Sequence, residues 1–223
     1  MSIYQLLLFA HLLLFVYWLG SDIGVFYGVR FVLNPDLSIE TRKTVMALIH
    51  WIDALPRICL VLMVPVGLSL AMLSGLLAID RAWQDAVMAF AWIAGIAWLA
   101  IVLRIYKGAK GMITRVDYTV RITVMLGFLL GGISSLLGHG PVVAGQDFLA
   151  VKAILFSGII ACGLMLRLLG KPFGEALGQI LAGHSTPATE AVLQRAMVRS
   201  RIVVLVLWLL VIVTAYIGLT KSF

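Results

Sequence analysis

Six apolar stretches, most of them near the roughly 20 residues that cross a bilayer as helix, constrain this chain more than any other feature. Their cores read Ile3 to Gly20, Ile58 to Leu77, Ala86 to Leu103, Ile122 to Leu137, Phe148 to Leu166 and Ile202 to Leu219. The expected fold is all-α, a polytopic transmembrane helix bundle forming one integral membrane domain over residues 1–223. Its six spans are expected at about 3–30, 56–78, 85–104, 120–138, 148–168 and 200–220. With 62% hydrophobic residues, 12% charged and a mean hydropathy of +1.09, the chain cannot keep a water-facing surface as a soluble globule. The lipid bilayer is therefore its first expected partner. No Lys or Arg precedes the first apolar run and no small-residue cleavage site follows it, so it is expected to stay as helix 1 rather than leave as a signal.

A net charge of +7 invites a nucleic-acid reading, but the basic residues are distributed by topology. Arg30, Arg42 and Lys43 flank the first loop; Arg104, Lys107, Lys110, Arg115 and Arg121 the third; Arg167, Lys171, Arg195, Arg199 and Arg201 the fifth. The opposite side holds Arg81, Lys152 and Lys221. The positive-inside rule then places loops one, three and five in the cytoplasm of a bacterial-type inner membrane, with both termini outside. No nucleic-acid partner is expected. Cys59 and Cys162 both lie inside apolar spans, as packing thiols do.

Helices 1 and 2 are expected to run past the bilayer into the cytoplasm, because Asn34-Pro35 is the first breaker and Ser38 with Glu40 reads as the next helix start. Pro56 and Pro65 predict a bend in helix 2. Small residues recur every fourth position at Gly20, Gly24 and Gly28, at Gly67, Ala71 and Gly75, and at Gly127, Gly131 and Ser135, which predicts packing seams. Phe173, Ala176, Leu177, Ile180 and Leu181 predict a short interfacial amphipathic helix near 172–182. Thr186-Pro187 with Glu190 reads as the start of helix 6.

Ionisable groups near or inside spans are the first candidates for function, since lipid penalises them unless they are paired or wet. His50, Asp53 and Arg57 share one stripe of helix 2, and Asp22 and Arg30 lie at comparable depth on helix 1. This polar cluster either lines a cavity that binds an anionic group or ties helices 1 and 2 together. His11 lies roughly 12 Å inside a span, where an imidazole can ligate a metal or haem iron. Met72 is the second donor assigned at similar depth, and a hydrogen-bonded packing histidine is the alternative. His139 beside Asp147 and His184 read as solvated loop residues, and no phosphate loop or metal-ligand spacing is present.

With His11, Trp18, Gly20 and Arg30 in order, helix 1 resembles the opening of the HemJ-type protoporphyrinogen oxidases and the related CopD-type copper-resistance membrane proteins. Arg57-Ile-Cys-Leu followed by Pro65 and Gly67 resembles that superfamily's second helix, Phe148-Leu-Ala-Val-Lys152 its aromatic-x-x-x-Lys helix opening, and Lys221-Ser-Phe223 the HemJ-type C-terminus. The chain differs in having six spans rather than four, and in carrying Gly163 where a histidine would follow Lys152. The resemblance implies a haem b held by His11, with Trp18, Arg30 and Lys152 as further cofactor-binding residues, in a membrane oxidoreductase that meets a redox partner; Met72 joins this set from its position alone. Two other readings stay open: a transporter for copper or another small solute, and a non-catalytic subunit of a membrane complex.

Overall fold

The computed structural model describes residues 2–221; Met1, and Ser222 and Phe223 of the C-terminal resemblance, lie outside the described residues. It consists of six helices: α1 (Ile3–Val32), α2 (Ile39–Leu73), α3 (Arg81–Tyr106), α4 (Met112–Leu136), α5 (Asp147–Leu181) and α6 (Pro187–Thr220). All six are long and apolar enough to cross a membrane. Among the described residues the only β pairing is one antiparallel bridge, Leu77 with Val142. The chain alternates direction, so the α1–α2, α3–α4 and α5–α6 connections share one end, called here the basic end, and the other loops lie at the far end.

Helix ends follow local chemistry. Ser2 accepts from the Gln5 amide while the Gln5 side chain returns to the Ser2 amide, closing a capping box. Ser38 and Thr186 cap α2 and α6 by accepting from the amides of Thr41 and Thr189, and at Thr186 the Thr189 hydroxyl returns the bond to close a second capping box. At the end of α2, Gly75 takes a φ of +67°, a conformation that favours glycine, and lets the Leu76 amide turn back to the Ala71 carbonyl at 2.9 Å. α2 continues through Pro56 and Pro65, and α5 through Pro172.

Neighbours in sequence are neighbours in space: α1 packs on α2, α2 on α3, α4 on α5 and α5 on α6, while α1 against α6 and α2 against α5 close the bundle. Glycines set the tightest approaches. A Cβ on Gly95 would lie 2.9 Å from the Pro65 ring, and one on Gly132 would lie 2.7 Å from the Ala150 carbonyl oxygen. The small-residue pattern locates these seams only in part. Gly24 and Gly28 do face Ile52 and Ile49 of α2, but Gly20 and Gly127 meet no neighbour, and the α4 seam runs through Gly132 rather than its neighbour Gly131. Adjacent helical positions differ by 100°, so a four-residue spacing cannot decide which of two consecutive glycines faces the partner.

Two apolar layers result. The central one gathers Trp18, Cys59, Leu60, Trp98, Phe156 and Ile160 with neighbours from all six helices. The second lies at the basic end, where Val29, Val32, Ile49, Ala176, Leu177, Ile180 and Leu193 join the ends of α1, α2, α5 and α6. Residues 172–182 therefore do not form a separate interfacial helix: they continue α5, and their apolar stripe is covered by three neighbouring helices instead of lipid. Arg42 locks this region. It is 2% exposed, its Nε donates to the Val32 carbonyl at 2.8 Å, and its two terminal nitrogens grip both Glu190 carboxylate oxygens at 2.7 and 3.0 Å. At the far end, the Ala78 amide donates to Pro141 and the Val143 amide to Leu76, joining the two outer loops.

Candidate functional site

On α1, His11, Trp18 and Asp22 are spaced i, i+7 and i+11, which places all three within about 40° on the face turned into the bundle. Trp18 fills the central apolar layer. His11 and Asp22 mark its two sides, and each belongs to a different polar group.

Toward the far end, the His11 ring stands over Gly67 of α2, with Cε1 3.7 Å from where a Cβ would be. Its Nδ1 is buried and has no hydrogen-bond partner among the described residues. Lys152 of α5 lies within electrostatic range of His11, and its ammonium occupies the space over Gly218 of α6 that a side chain there would fill. Two helix pairs, α1–α2 and α5–α6, thus hold an imidazole and an ammonium within each other's electrostatic range. The two glycines make room for both groups.

Toward the basic end lies a charged layer. Asp117 of α4 is fully buried and accepts from three donors: Trp98 Nε1 of α3 at 2.9 Å, Arg121 Nε at 3.0 Å and Arg167 Nη1 of α5 at 2.5 Å. Arg121 is 4% exposed, stacks over Trp98, and keeps a buried Nη2 without a partner. Asp53 and Arg57 pair with each other one turn apart on α2, and Arg57 and Arg167 lie in the electrostatic field of Arg121. Asp22 accepts from Trp208 Nε1 of α6 at 3.1 Å and feels both Asp53 and Arg57. Arg201 of α6 sits over the Phe26 ring with its own Nε buried and unpartnered.

The residues singled out from sequence separate accordingly. His11 and Lys152 lie within electrostatic range of each other, and Asp22, Asp53 and Arg57 share the charged layer. Arg30 stays exposed, stacked on Tyr27. His50 is exposed and stacks on Tyr106 with ring centres 4.1 Å apart. Met72 is buried five residues beyond Gly67, about 7.5 Å along the helix axis, beside a cleft lined by Asp80, Arg81 and Gln84. His139 and His184 are exposed. Asp117, Arg121 and Arg167 escaped the sequence reading as a site, because the two arginines served there as markers of topology. The signal for them is an Asp and an Arg at i and i+4 inside a helix otherwise apolar enough to span lipid.

The fold and these buried polar groups define a multi-pass integral membrane protein with lipid around its six helices. Beyond that class no family model, curated protein or solved structure matches the chain.

Proposed function

We propose that this chain binds haem b and acts in redox chemistry or electron transfer in a bacterial-type inner membrane, with its basic end in the cytoplasm and both termini outside. The observation that supports this best is the buried, unpartnered Nδ1 of His11, within electrostatic range of the Lys152 ammonium. These two residues carry the HemJ/CopD-type resemblance on helices far apart in sequence, and in this fold they lie within electrostatic range of each other. A single imidazole suits haem better than a protein-only metal site, because the porphyrin brings four nitrogens and asks the protein for only one or two.

In this reading His11 holds the iron, Met72 is the second donor, and Lys152 neutralises a porphyrin carboxylate. Gly67 and Gly218 make room for the His11 and Lys152 side chains themselves, and the central layer around Trp18 separates the far-end group from the charged layer. Bound haem supplies one-electron exchange between ferric and ferrous iron. Exposed Arg30 and its basic neighbours offer a surface to an acidic redox partner. Among the described residues no group of three His, Cys, Asp or Glu could hold a bare metal ion, and Cys59 and Cys162 stand as free thiols on separate helices, so a thiolate copper(I) path has little to draw on.

One arrangement favours a second reading, transport of a small solute: the His11–Lys152 pair and the charged layer lie on opposite sides of an apolar layer, as two half-sites separated by a barrier would. Visible spectra of purified variants separate the two. In the haem reading His11→Ala abolishes or shifts the Soret band, whereas His184→Ala in an exposed loop leaves it unchanged. Haem retained with an identical spectrum in His11→Ala would overturn the assignment and make His50, beside Asp53, the next ligand to test.

A further inference from the structure

The charged layer holds more guanidinium donors than its own carboxylates use. Arg121 donates through Nε alone, Arg167 through Nη1 and Arg57 through Nη2, although each guanidinium carries five N–H groups. The three arginines come from α4, α5 and α2; Arg121 and Arg167 share the Asp117 carboxylate, and both Arg167 and Arg57 lie within electrostatic range of Arg121, where like charges repel unless an anion stands between them. Two carboxylates, Asp53 and Asp117, serve these three cations. The third carboxylate of the layer, Asp22, makes its hydrogen bond with Trp208 and none with an arginine. Arg121 supplies an independent sign of a missing partner, since it is 4% exposed and its Nη2 is buried without any acceptor. A buried charged donor left without an acceptor costs more than an ordinary lost hydrogen bond.

The layer is also reachable. Tyr106, the last residue of α3, stacks on His50 of α2, so the α3–α4 connection forms a shelf at that level while α1, α2, α5 and α6 project beyond it. Asp117 lies five residues from the start of α4, about 7.5 Å below that shelf. The Arg57 and Arg167 side chains keep 39% and 20% exposure there, enough to swing outward and admit a small group.

We propose that Arg57, Arg121 and Arg167 form a binding site for a phosphoryl oxyanion at the basic end of the bundle. Guanidinium forks match phosphate oxygens, and an anion with three or four oxygens can meet donors arriving from three helices, as a carboxylate with two cannot. Arg121 Nη2 supplies the buried contact, and Arg57 and Arg167 close over the anion from the solvent side. The phosphoryl group comes either from an anionic lipid headgroup or from a soluble phosphorylated molecule. The site lies on the other side of the Trp18 layer from His11 and stands whether or not haem binds there.

The test uses the full chain, delipidated in detergent and titrated with inorganic phosphate at constant ionic strength, and in parallel reconstituted in nanodiscs of phosphatidylglycerol or phosphatidylcholine. Native mass spectrometry then reads the lipid that stays bound. Saturable one-to-one phosphate binding identifies a soluble ligand; selective retention of phosphatidylglycerol with no phosphate binding identifies a headgroup. In either case Arg57→Gln and Arg167→Gln each weaken the association roughly tenfold, the scale of one lost charge-assisted hydrogen bond, while the exposed Arg115→Gln does not. Circular dichroism checks that each variant keeps its helices, and Arg57→Gln, which loses only a half-exposed pair, keeps them. Failure of both probes to bind one-to-one, or an equal loss in Arg115→Gln, overturns the proposal.

Discussion

At the residue scale, burial decides which charges matter. Asp53–Arg57 and Asp117–Arg121 are both i, i+4 pairs, yet the first keeps 29% and 39% side-chain exposure and the second 0% and 5%. Arg57→Ala should therefore cost about 0.5 kcal/mol of stability, the value of an exposed helical pair. Asp117→Ala strands Arg121, Arg167 and the Trp98 indole together and should cost about 3–5 kcal/mol. Thermal unfolding followed by tryptophan fluorescence separates the two; equal losses would mean that the layer is wet throughout. The Arg42–Glu190 clasp, which falls outside the spans expected at about 56–78 and 200–220, makes a prediction about pH. Hydrogen bonds from Arg42 hold the Glu190 carboxyl below its usual value of 4.5. A carboxyl lowered by folding stabilises the fold above its unfolded value, and that contribution fades as pH falls through the folded one. The advantage of the wild-type chain over Glu190→Gln should thus be constant above about pH 5 and shrink below it. An advantage that grows on acidification would reverse the assignment.

At the scale of elements, apolar runs and breakers made the six helices and their order readable in the sequence. Asn34-Pro35, Ser38 and Thr186-Pro187 mark where helix stops and starts because capping is local chemistry. Where α4 begins was harder to read. It starts at Met112, whereas Arg115, Asp117 and Arg121 move the apolar span to about 120, since two of the partners that compensate the buried Asp117, Trp98 and Arg167, lie on α3 and α5. The candidate site divided along the same line. His11 and the Asp53–Arg57 pair could be found from position on one helix, whereas the approach of Lys152 to within electrostatic range of His11 depends on how α2 and α6 each bridge α1 and α5, and the meeting of Asp117 with Arg167 on how α4 packs on α5. Helix seams follow the same logic. Gly132→Ala should destabilise the α4–α5 contact by about 1–3 kcal/mol, because the new Cβ meets backbone. Gly127→Ala, with no neighbour within 4 Å, should be neutral or slightly stabilising. Comparing the melting temperatures of the two variants checks this, and the reverse order would place the seam on the other face of α4.

At the scale of the whole molecule, thirteen Lys and Arg gather around the basic end against three at the far end, with Arg57 omitted. Reporter fusions after Pro35, Lys110 and Gly183 should all read cytoplasm; one periplasmic result would contradict this orientation. The bundle holds two polar groups on either side of an apolar centre, and the far-end group is the one assigned to haem. The most direct measurement is the visible spectrum of the purified full chain from haem-replete cells, oxidised and then reduced. A Soret band that shifts on reduction, with about one haem per chain, is the expected result. A colourless protein that also takes up no added haem would contradict the account.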